Sequence, residues 1–103
     1  MQVSIQSDAI HFTAEENFNA TFIEALQLKL LETLKQNTAK NIVLDMKAVE
    51  LMDSLGIKLL VGLYKTCQTE NRKLTLEHTS ESVTRVIRVC KLDQIIQLRE
   101  AAI

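Results

Sequence analysis

The chain reads as an α/β domain with a mixed sheet of four to five strands and amphipathic helices, in the order ββαβαβαβ. Three observations predict this. Short runs with period-2 or continuous apolar character alternate with longer runs of helical period. The run Asn41-Ile42-Val43-Leu44-Asp45-Met46 is apolar without alternation, as expected of a strand covered on both faces at the centre of a sheet with parallel neighbours. There is no Pro, and both Gly residues fall in one predicted helix, so no linker divides the 103 residues and a single domain over 1–103 is expected.

In chain order, Val3 and Ile5 and then Ile10 and Phe12 alternate with polar residues, which predicts two strands joined near Ser7-Asp8. Residues 20 to 36 follow as a helix whose Phe22, Ile23, Leu26, Leu30 and Leu34 form one core-facing stripe, with Leu28 on the opposite side. The central strand at 41–46 comes next, then a helix from Leu55 to Thr69. Lys73 to His78 alternates as a further strand. Ser80 is placed to cap a third helix in which Val83, Val86, Ile87 and Cys90 share a face and Arg85 and Arg88 point outward. Ile95, Ile96 and Leu98 suggest a last short strand.

Composition narrows the function. A formal charge of -1 and four aromatic residues without Trp give no electrostatic or stacking basis for binding nucleic acid. No run of 18 apolar residues is present to insert in a membrane, and Met1 to Ile5 has neither the basic nor the apolar region of a secretory signal, so a cytoplasmic setting is expected. Cys67 and Cys90, 23 residues apart on predicted apolar faces, read as small buried hydrophobes. Two His and two Cys without zinc-like spacing predict no metal site, and no Gly-rich loop is present to cradle ATP, so no cofactor is expected. A hydrolase elbow would need Gly two residues before the serine, where Met52 stands, and His11 and His78 read as satisfied or surface side chains.

The informative segment is Asp53-Ser54-Leu55-Gly56, at the junction of a strand and an apolar helix. The helix holds more apolar residues than one face needs. Ile57, Leu60, Val61, Leu63, Tyr64 and Cys67 make a broad core arc. Leu55, Leu59, Gly62 and Thr66 make a second strip flanked by Lys58 and Lys65. Either another element covers the strip or it is a docking surface for a protein. Ser54 likewise has two readings. As an N-cap it accepts a helix N–H, worth about 1 kcal/mol. As a phosphoacceptor it places a dianion beside Asp53 at the positive end of the helix, where a phosphate can use the free N–H groups and repel whatever docks alongside.

Val43-Leu44-Asp45-Met46, Val49, Asp53-Ser54-Leu55-Gly56-Ile57 and Leu59-Leu60, in this order between strand and helix, resemble a STAS domain, and more narrowly the stand-alone anti-sigma factor antagonists of bacteria. The resemblance implies a non-enzymatic binding module with Ser54 as phosphoacceptor. A GHKL-type anti-sigma kinase would phosphorylate it, a PPM-type phosphatase would restore it, and the unphosphorylated form would bind the anti-sigma factor. Asp53, Leu55, Gly56, Lys58, Leu59 and Gly62 would form the contact, with Gly56 letting a partner backbone approach closely. Leu55 stands where that family usually has a small or hydroxylated residue, the segment from Phe12 to Asn17 lacks the glycine common there, and Arg99 to Ile103 is short for a final helix. The same resemblance leaves open a constitutive STAS subunit of a lipid-transport complex or of a biofilm or chemotaxis regulator, in which Ser54 only caps the helix.

Overall fold

In the computed structural model, which describes residues 2–18 and 20–100, five strands form one mixed sheet in the order β1-β2-β3-β4-β5. The strands are β1 (Gln2–Gln6), β2 (Ala9–Thr13), β3 (Asn41–Asp45), β4 (Lys73–Thr79) and β5 (Gln97–Glu100). The helices are α1 (Ala20–Lys35), α2 (Ser54–Thr69) and α3 (Glu81–Val89), with a 3-10 turn at Leu92–Gln94. β1 and β2 are an antiparallel hairpin across Ser7-Asp8, where Ser7 takes a positive φ of 50°. The pairs β2–β3, β3–β4 and β4–β5 are parallel. β3 is central, as its unbroken apolar run predicts.

Each parallel crossover advances one strand in the same direction. Right-handed crossovers then place α1, α2 and α3 on a single face. The helices therefore lie on one face only, yet β3 is buried on both, with Val43 8% exposed and its neighbour Thr75 5% exposed on the other face. Ile42 and Leu44 sit in the core with Ile10, Phe12, Leu74 and Leu76, which share their face by register. Val43 lies on the other face, outside the core cluster and flanked by His11 and Thr75. The continuous apolar run reflects a buried position between two parallel neighbours rather than a second helical layer.

The helices supply the other half of the core. Leu26, Leu30 and Leu34 of α1 are buried, and Phe22 and Ile23 pack at its margin, while Leu28 is exposed as predicted. In α2 the buried residues are Gly56, Leu59, Leu60, Leu63 and Cys67, whereas Ile57, Val61 and Tyr64 are only partly covered. The helix is therefore rotated from the expected phase, and Leu59 belongs to the core. In α3, Val83 and Ile87 are buried and Arg85 and Arg88 point outward, but Cys90 lies past the last turn and is exposed. Cys67 is the thiol that behaves as a buried hydrophobe. Desolvation pushes its pKa from 9.0 to about 11, against the pull of Arg72 and with a smaller push from Glu70.

The last strand begins later than expected. Ile95 and Ile96 follow the 3-10 turn, and Ile96 alone of the two is buried. The expectation about a final helix falls partly on Ala101 to Ile103, outside the described residues; Arg99 and Glu100 are in β5. The stretch Met1 to Ile5, read for signal features, supplies most of edge strand β1 from Gln2 onward. Among the described residues no helix is long and apolar enough to cross a membrane.

Candidate functional site: the start of the second helix

β3 delivers the chain into a loop, residues 46–53, that is held from three directions. Met46, Val49 and Met52 point into the core. The Val49 amide donates to the Met46 carbonyl at 2.9 Å, closing a turn. The amides of Glu50 and Leu51 both donate to Oδ1 of Asn17, at 2.6 and 3.2 Å. From the α3 side, the Ser80 hydroxyl donates to the Glu50 carbonyl at 3.2 Å. These bonds satisfy loop amides that no strand serves, and they tie the loop to the segment before α1 and to the start of α3. Sequence reasoning missed Asn17 in this role. A polar residue in an aperiodic segment carries no signal for a contact 33 residues away.

Helix α2 is capped by Asp53, not by Ser54. The Asp53 backbone is extended, with φ -105° and ψ -167°, and its Oδ1 accepts from the amides of Leu55 at 3.0 Å and Gly56 at 3.3 Å. An N-cap side chain normally reaches the N2 and N3 amides, which these are. Ser54 is thus the first helical residue, exposed, with its hydroxyl outside the cap. Two expectations change together. Ser54 is not the capping residue, and the two amides considered free for a phosphate already serve a carboxylate.

Gly56 has an internal reason to be glycine. A Cβ there would lie 2.3 Å from Cγ of Met52 and 3.1 Å from Cδ2 of Phe18. The residue is buried, so it admits the loop and the pre-α1 segment rather than a partner backbone. Leu59, 8% exposed, likewise faces inward. The surface at this helix start is made instead by Ser54, Leu51 at 65% exposure and Leu55 at 44%, with Lys58 exposed one turn further on. Leu51 was not among the expected contact residues, because it precedes the helix whose period was being read.

Gly62 and Thr66 do reach the surface side of α2. Together with Lys58, Gln27 and Leu31 they line a groove of about 200 Å3 between α1 and α2, floored by Leu30, Leu59 and Leu63. A Cβ at Gly62 would meet nothing within 4 Å. The expected strip is therefore divided. Leu55, Lys58 and Gly62 are accessible, while Gly56 and Leu59 are structural.

The histidines lie on the sheet. His11 is half-buried in β2. His78, at a β-bulge with φ 57°, contacts Oδ1 of Asp45 through Nδ1 at 3.1 Å. The site therefore presents an exposed hydroxyl on a rigid mount, flanked by leucines and one lysine.

This single-layered helix arrangement on a β1-β2-β3-β4-β5 sheet, with an Asp-Ser pair opening the helix after β3, defines a class. The STAS domain family model matches residues 1–102, and the chain belongs to that family. Among solved structures, a Thermotoga maritima protein described as a candidate anti-sigma factor antagonist superposes with a TM-score of 0.89 at 20% identity, covering 96% of this chain and 85% of that one. An anti-sigma factor antagonist from Mycobacterium paratuberculosis gives 0.83 at 19%, covering 95% and 82%. The anti-sigma factor antagonist SpoIIAA in its unphosphorylated form gives 0.81 at 16%, covering 94% and 85%.

Proposed function

We propose that the chain is a phosphorylation-switched protein-binding module of the anti-sigma factor antagonist type. In this reading the unphosphorylated start of α2 binds an anti-sigma factor that is also a GHKL-type serine kinase. Phosphorylation of Ser54 releases that partner, and a PPM-type phosphatase restores binding. The chain itself catalyses nothing and works in the cytoplasm. The observation that carries the proposal is the division of labour between two neighbours. Asp53 caps the helix, which leaves the Ser54 hydroxyl exposed and free of that duty. Such a hydroxyl can be esterified without loss of the cap.

The electrostatics favour release of a partner over unfolding. A phosphate adds about -1.5 to -2 charges. Because Asp53 already holds the Leu55 and Gly56 amides, those two are closed to the new charge, which stays at the surface beside a carboxylate. Lys58, four residues on, offers a screened counter-charge worth a few tenths of a kcal/mol. Leu51 and Leu55 would make apolar contacts only while their neighbour is uncharged, since docking them would force a dianion out of water.

The test pairs the purified chain with an anti-sigma kinase encoded in the same genome. ATP should label Ser54, as read by peptide mass spectrometry, and Ser54→Ala should bind the kinase whether or not ATP is supplied. Ser54→Asp should lose at least about tenfold in affinity, or about 1.4 kcal/mol. Wild-type affinity in Ser54→Asp would overturn the switch. Co-purification with a lipid-transport ATPase, with Ser54 never phosphorylated, would assign the chain to a constitutive complex instead.

A further inference from the structure

The two edges of the sheet are not alike. β5 carries Arg99, whose Nη1 donates to Oε2 of Glu77 at 2.9 Å. Charged side chains of this kind are a usual device that keeps an edge strand from pairing with another chain. β1 has no such device. It reads Gln2-Val3-Ser4-Ile5-Gln6, without a charge, a Pro or a bulge.

β1 is also unfinished on its apolar side. By register Val3 lies opposite Phe12 and Ile5 opposite Ile10, so both face the helical side of the sheet with the core. Phe12 and Ile10 are wholly buried, yet Ile5 is 53% exposed. The apolar face of the sheet continues past the point where covering structure ends.

We propose that β1 is a pairing edge for a second copy of this chain, joined antiparallel about a two-fold axis at Ser4. Two features select this occupant. The strand is self-complementary when reversed: Gln2 meets Gln6, Val3 meets Ile5 and Ser4 meets itself. An isologous contact requires this property, since the same patch serves both copies. The hydrogen-bond phase agrees. In a hairpin with a two-residue loop the flanking pair, here Gln6 and Ala9, exchanges both backbone bonds, and the bonded pairs then recur at every second residue. Gln2, Ser4 and Gln6 thus turn their backbone groups toward β2. Val3 and Ile5 turn theirs outward, and in the register about Ser4 each Val3 faces an Ile5 as a doubly bonded pair.

Pairing would join two sheets into one of ten strands and bring Val3 and Ile5 of both copies into one apolar stripe. A net charge of -1 per copy offers little repulsion. Only five residues per chain pair, so the dimer is expected to be weak and concentration-dependent. The inference is independent of the role assigned to Ser54.

Sedimentation of the full chain across a concentration series should show mass rising from 11.7 kDa toward twice that value. Ile5→Lys, at an exposed position, should stay at the lower mass with an unchanged circular dichroism spectrum. The register is tested by oxidation in a Cys90→Ser background. Ser4→Cys should form a disulfide-linked dimer, because residues opposite each other in a non-bonded antiparallel pair lie about 4.5 Å apart at Cα, within disulfide reach. Gln6→Cys should not, because Gln6 faces Gln2 of the other copy. A wild-type chain monomeric up to about 1 mM, the weak end of measurable pairing, would overturn the proposal. So would a dimer insensitive to Ile5→Lys, or one that crosslinks through Gln6→Cys and not Ser4→Cys.

Discussion

Two serines stand where helices begin, and the structure uses them in opposite ways. Ser80, at the start of α3, accepts from the Val83 amide at 3.2 Å and donates to the Glu50 carbonyl at 3.2 Å. It is half-buried and serves the fold with both its proton and its lone pairs. Ser54, at the start of α2, stands one residue later relative to its cap, because Asp53 has taken that position. A shift of a single residue separates a hydroxyl that holds two elements together from one that the fold leaves in solvent. A serine near a helix start is therefore informative only once the capping residue is known.

The contrast can be broken or sharpened by substitution, beginning with the largest effect. Gly56→Ala strikes the ground beneath Ser54: the added methyl collides with Met52 and Phe18, and the overpacking cost of about 1–3 kcal/mol outweighs the about 1 kcal/mol gained in helix propensity. Chemical denaturation should show a lower midpoint. A gain in stability would mean that the junction is looser than its contacts indicate. Ser80→Ala removes a cap and leaves the Glu50 carbonyl without that donor, for about 1–2 kcal/mol. In a domain of this size that corresponds to a fall in melting temperature of roughly 4–8 °C per kcal/mol. Asp53→Ala should cost about 1 kcal/mol by the same capping logic, so that at α2 the penalty falls on the aspartate. Ser54→Ala should change stability by less than about 0.5 kcal/mol. If Ser54→Ala proved as damaging as Ser80→Ala, the distinction between the two serines would be lost.

Much of this architecture was legible before the structure. The run Ile42-Val43-Leu44 marked the central parallel strand because few other settings tolerate three consecutive apolar residues in a short strand. Ser80 was recognisable as a cap because it stands alone between a strand and an amphipathic helix. The α2 junction was harder for a physical reason. Asp and Ser are about equally good caps, and when they are adjacent, hydrophobic period cannot decide which residue takes the extended backbone. The phase of α2 was ambiguous for a related cause. Its apolar residues cover more than half the helix circumference, so Leu59 could be assigned to either side until α1 was seen to pack against it. Leu51 and Asn17 escaped notice because loop contacts follow no period.

The capping arrangement at Asp53 has an evolutionary corollary. Since the helix starts without help from its first side chain, one codon change at position 54 can alter that exposed side chain, and with it the switch proposed above, while the scaffold remains intact. On the proposed reading, descendants of this chain would alternate between a responsive form and a permanently engaged one by drift at a single site. The glycine two positions later enjoys no such liberty.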